Sequence, residues 1–323
     1  MQKVVPSFAF RARARAAMKP VMSILIVVAL IAALPSLISS TVLLMTGANP
    51  DTVLMDFSDR AMQVMEKYGL TRTVVVEPAP IDVAALEADV WGVYDAFFAD
   101  MDTFTRTKGP IILGLSLMTM VLSPALTLGL INALLHALRR QEFTFSIALS
   151  RLRYFPKALG MELLLGLKYL LWMLPGMALM IAAMWLPLEA MILVMLLSML
   201  VMMVPVIIAA YRYALASFIL ADQPETRITE CIRRSKEIMK RRKLELFFLE
   251  LSFIGWNLLV TYFQLLVDGM MGPVLGMALG QFAALFLTVY MTCTQAAFYQ
   301  EYAVGPVAVP EAPEDPAEAG DEA

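Results

Sequence analysis

Six apolar blocks constrain this chain more than any other feature. They lie at about 21–45, 110–138, 159–186, 188–211, 244–267 and 270–299. Each is longer than the roughly 20 residues needed to cross a hydrocarbon core about 30 Å thick. In lipid every backbone N–H and C=O must be satisfied within the chain, and unbroken apolar runs of this length achieve that as helices. The expected fold is therefore all-α: a polytopic membrane protein of six transmembrane helices. Composition agrees, with 60% hydrophobic and 16% charged residues, where soluble domains carry roughly 45–50% and about 25%. Four blocks hold an internal proline, Pro35, Pro124, Pro175 and Pro205, read as kinks whose freed carbonyls neighbouring helices satisfy.

Lysine and arginine placement sets the expected orientation. Residues 1–20 form a basic N-terminus, residues 139–158 a basic loop, and residues 212–243 a basic amphipathic helix. Together they hold 19 of the 25 basic residues, and with six spans all three fall on one side, expected to be the cytoplasm. The acidic, proline-rich segment 300–323 is expected to be a disordered tail there. The apolar run after the basic N-terminus is about 25 residues, longer than the roughly 7–15 of a signal peptide, so an uncleaved first span is expected.

Segment 46–109 lies on the opposite side, with eleven acidic against five basic residues. Leu86, Val90, Tyr94, Phe97, Met101 and Phe104 recur near helical spacing. Two amphipathic helices, about 51–68 and 81–105, are expected around a short extended TVVVE piece, forming an extracytoplasmic helical cap.

The densest charge is RRSKEIMKRRK at 233–243, with seven basic residues in eleven positions. Asp222 and Pro224 suit the start of a helix. Ile228, Cys231, Ile232, Ser235, Ile238 and Met239 then share one face. The pattern suits a helix in the headgroup region, apolar face in the acyl boundary and Arg233, Arg234, Lys236, Lys240, Arg241, Arg242 and Lys243 over anionic lipid. The same charges also serve as a plain topology signal. A nucleic-acid partner is not expected, since interleaved aromatics and a basic domain are missing.

Within the spans, Arg212 and Glu250 are costly unless paired, and an intramembrane pair docking span four on span five is expected. Asn257, Gln264 and Gln281 are candidates to line a polar cavity, or to form ordinary interhelical hydrogen bonds. The methionines at 177, 180, 184, 191, 195, 199 and 202 repeat every three or four residues. Without Cys or His donors beside them this reads as packing rather than copper relay. His136, the single histidine, reads as an interfacial hydrogen-bonding residue. Cys231 and Cys293 suggest no disulfide framework. No metal site, cofactor or catalytic motif is expected.

The stretch YRYALASFILADQPETRITECIRRSKEIMKRRKLELFFLELSFIGW at 211–256 resembles the bacterial integral membrane family known as domain of unknown function 975. So do TQAAFYQEY near the C-terminus and, more weakly, RARARAAMK near the N-terminus. Where relatives often have a small breaker and a tryptophan, this chain has Arg241 and Leu244. The resemblance implies a multi-span protein of the bacterial cell membrane and supplies no catalytic residues. The expected function is non-enzymatic contact with lipids, anionic above all, or with an envelope protein. The alternative is a transporter or channel-like subunit with a polar mid-membrane cavity.

Overall fold

The structure is a computed structural model that describes residues 6–70, 82–141 and 145–305. The described residues are helical, with no strand among them. In chain order the helices are α1 (Ser7–Met18), α2 (Met22–Thr46), α3 (Asp51–Lys67), α4 (Val83–Leu138), α5 (Phe145–Leu149), α6 (Phe155–Ala183), α7 (Leu188–Tyr213), α8 (Ala216–Asp222), α9 (Ile228–Met239), α10 (Lys243–Leu251), α11 (Ile254–Met271) and α12 (Pro273–Tyr299). A 3₁₀ turn (Ser150–Tyr154) leads into α6, and a π-helical turn (Gln300–Val304) follows α12. Among the described residues six helical stretches are long and apolar enough to cross a membrane; this is a multi-pass membrane protein. The TVVVE piece and the tail beyond residue 305 lie outside the described residues.

The chain forms two compact units, Leu34–Leu122 and the remainder. In the first, α3 packs along the opening part of α4. Phe57 meets Tyr94 and Phe97 with ring centroids 5.6 and 4.9 Å apart. Arg60 pairs with Asp100 at 2.9 Å, and Tyr68 donates to Asp89 at 2.8 Å. The helix expected to stop near 105 does not stop: α4 runs on to Leu138. Amphipathic and fully apolar sequence can share one helix, because what changes along it is the surrounding medium rather than the backbone preference.

In the second unit, α6 lies along α7 and α11 along α12. Gly176 sets the approach of α6 to α7, since a Cβ there would come within 2.6 Å of Met202 Cβ. The core gathers at the basic ends of these helices. There Phe10 packs on Phe298 and Tyr302, and Leu128–Leu135, Leu215–Ala221, Cys231, Met239, Leu246 and Ala296–Tyr299 supply the buried side chains.

Helical structure continues unbroken through the proline positions, but α7 gives way to α8 at Ala214–Leu215 and α10 to α11 at Ser252–Phe253. Neither interruption contains proline. At the first, the Ser235 hydroxyl of α9, fully buried, donates to the Arg212 carbonyl (3.2 Å) and accepts from the Leu215 N–H (3.3 Å). One hydroxyl is both donor and acceptor, so it satisfies both backbone groups that the break frees.

Candidate functional site

The basic helix begins at Ile228. Asp222 instead ends α8, so the expected start at Asp222 and Pro224 is corrected: Gln223–Arg227 form a connection that Lys157 holds by donating to the Pro224 carbonyl at 2.7 Å. Along α9, Cys231, Ile232, Ser235 and Met239 are buried, and Ile228 Cδ1 sits 3.0 Å from where a Cβ on Gly160 would be. The apolar face therefore lies on the protein's own core and not in an acyl boundary. Amphipathicity requires only that one face leave water; here α7 and α6 receive it. Burial pushes the Cys231 thiol up.

The cations divide into engaged and free. Arg233 and Arg234 bond to Glu230 at 2.9 and 3.0 Å, and this holds the Glu230 carboxyl below the usual range. Arg234 also donates to Gln223 at 2.8 Å. Lys236 lies over the Tyr213 ring and Arg242 over Tyr302, 5.6 and 3.6 Å from the centroids; Arg242 also reaches Glu245 at 3.4 Å. Lys240 and Arg241 stand exposed in the turn between α9 and α10, their side chains without a hydrogen bond or ion pair among the described residues. Lys243, half-buried, opens α10. The basic helix thus ends before span five, and Leu244, Phe247 and Phe248 follow with exposed apolar side chains.

The expected pair of Arg212 and Glu250 does not form. Glu250 accepts instead from the Tyr211 hydroxyl (2.7 Å) and from Gln295 Nε2 (2.8 Å). Helical rotation explains the exchange: neighbouring residues differ by about 100°, so Tyr211 turns toward α10 and Arg212 does not. The docking of span four on span five survives with a neutral donor. Asn257, Gln264 and Gln281 lie on α11 and α12, where Asn257 donates to the Phe253 carbonyl at 3.1 Å and Gln264 packs over Gly280. Two crevices of this unit are apolar. One is lined by Val28, Ala32, Leu126, Gly129 and Phe145, the other by Met18, Leu25, Ile26, Leu285 and Val289. None of the three polar residues lines either.

Sequence reasoning missed a polar knot at the basic end. Asn132, His136 and Arg139 recur at four and three residues, so they share one face of the end of α4 and its continuation. Arg139 Nη1 donates to Asp222 Oδ1 at 2.7 Å and Arg139 Nε to Gln300 at 2.9 Å. The Tyr299 hydroxyl donates to the other Asp222 oxygen at 3.0 Å. Arg151 Nη2 donates to Asn132 Oδ1 at 3.0 Å, and Asn132 Nδ2 to the Ile147 carbonyl at 3.1 Å. The bond to Asp222 holds the Arg139 guanidinium further above its ordinary value. The i, i+4, i+7 spacing in NALLHALR was the visible signal. Asp222, Tyr299 and Gln300 lie 83 or more residues away from Arg139, and no local pattern announces them.

A family model described as "Protein of unknown function (DUF975)" matches residues 95–303. The match takes in α9, the α9–α10 turn and the whole polar knot, and leaves out the basic N-terminal segment 11–19. No curated protein and no solved structure matches the chain.

Proposed function

The chain belongs to the DUF975 family of proteins of unknown function, and from that premise we propose that it is a non-enzymatic membrane component engaging anionic lipid headgroups at the α9–α10 turn. One observation carries this reading: Lys240 and Arg241, exposed and with unengaged side chains, stand three to eight residues ahead of the exposed apolar side chains Leu244, Phe247 and Phe248. A surface of that kind suits the boundary between headgroups and acyl chains, where each nearby cation contributes on the order of 1 kcal/mol with anionic lipid. The contact is smaller than the seven-residue patch of RRSKEIMKRRK, because four of those cations already hold intramolecular partners. In this reading the membrane is the bacterial cell membrane, the basic segments and both termini face the cytoplasm, and 46–109 caps the opposite side.

The test is lipid retention by the full-length protein in neutral detergent, read by native mass spectrometry with phosphatidylglycerol against phosphatidylcholine. Wild type is expected to retain phosphatidylglycerol preferentially, and Lys240→Gln with Arg241→Gln to lose that preference. An unchanged preference in the double variant would reject the reading.

A further inference from the structure

We propose that His136, Arg139 and Arg151 form a binding site for a phosphate-type oxyanion within the polar knot. Arg139 Nη2, Arg151 Nε and His136 Nδ1 are shielded from solvent, and none has a hydrogen-bond partner among the described residues. Guanidinium N–H groups only donate, so what completes them must accept. Buried donors left unpaired are rare in native proteins, and each one points to a partner.

The charge balance points the same way. The knot holds two guanidinium groups and one carboxylate, Asp222, whose two oxygens are taken by Arg139 and Tyr299. Among the described residues Arg151 has only the neutral Asn132 as a side-chain hydrogen-bond partner. Asp222 is the one carboxylate acting on both guanidinium groups among the described residues, and an anion offering several oxygens would supply the second negative charge and the missing acceptors. Arginine forks match tetrahedral phosphate geometry, and a neutral imidazole protonated at Nδ1 adds a third donor. The site lies at the end of α4 and its continuation, and a lipid phosphate and a free one offer these donors the same chemistry. It does not draw on Lys240 or Arg241, so its failure and the failure of the α9–α10 reading are separate results.

The experiment measures thermal stability of the delipidated full-length protein in neutral detergent. Inorganic phosphate is titrated against sodium chloride at matched ionic strength, and phosphatidic acid against phosphatidylcholine. The expected result is a saturable rise in Tm with phosphate, or with phosphatidic acid alone if the source is a lipid. Arg151→Gln, which leaves the Arg139–Asp222 pair intact, should raise the half-saturating concentration about tenfold or more, as expected for one lost charge-assisted hydrogen bond. His136→Gln should weaken binding less. The nearest acid in sequence, Glu142, lies outside the described residues, so Glu142→Gln is included and should leave the wild-type response in place. No response to either phosphate source overturns the proposal. A response that appears only in Glu142→Gln also overturns it, by assigning the donors to that carboxylate.

Discussion

Two regions of the larger unit are built on opposite principles. At its basic end, Leu215, Ala216, Ala221, Cys231, Ser235, Met239 and Leu246 are all fully buried, as in the core of a soluble domain. Along the apolar windows of the four spans that lie wholly in this unit, only 6–17% of residues are buried inside the protein. The α6–α7 wall presents Leu163, Leu167, Leu193 and Leu197 outward. The difference follows from solvent. Where water reaches the chain, apolar surface must be removed by packing. In a hydrocarbon medium no such drive exists, and helices associate through close van der Waals approach at small residues.

The contrast is best broken first with a matched leucine pair. Leu246→Ala should cost about 4 kcal/mol, the range for a fully buried leucine, while Leu193→Ala, 70% exposed, should change stability by less than about 0.5 kcal/mol. Unfolding in mixed micelles of denaturing and mild detergent reads both, and equal costs would erase the distinction. Asp222→Asn should come next, at about 3 kcal/mol, because it leaves Arg139 without its counter-charge. Combining it with Arg139→Gln should cost clearly less than the sum of the two changes.

Inside the apolar region, Gly176→Ala should cost about 2 kcal/mol by overpacking. The new methyl would stand 2.9 Å from the Met202 backbone, so the penalty tests whether the α6–α7 contact is as close as it stands here. The smallest expected effect compares two buried serines. Ser235→Ala should cost about 1–2 kcal/mol, since the Arg212 carbonyl and the Leu215 N–H both lose their partner. Ser198→Ala should be nearly neutral, because that hydroxyl only bonds back to Met195 within its own helix. If the two serines proved equal, the clamp across the Ala214–Leu215 break would be ruled out.

Much of the fold was legible because spanning a membrane is a local demand. Length and hydropathy alone locate six helices, and the stripe containing Tyr94 and Phe97 marks the face of α4 that meets Phe57. The candidate site was less legible. The cluster RRSKEIMKRRK reads as one patch, yet four of its seven cations are engaged by Glu230, Gln223, Tyr213, Glu245 or Tyr302. Those partners range from three to about sixty residues away, and pattern alone does not rank them.

What the sequence determined by itself is the class of molecule: helical, membrane-spanning, with its cations gathered in three segments. Periodicity and transfer free energy act residue by residue, and both are written in the chain. Tertiary structure decided which polar groups meet. It gave Glu250 to Tyr211 and Gln295, it laid the apolar face of α9 on protein, and it drew Asn132, Arg139, Arg151 and Asp222 into one knot. Charge and hydrogen bonding act through space at a few ångströms, so their outcome is fixed only when distant segments are brought together.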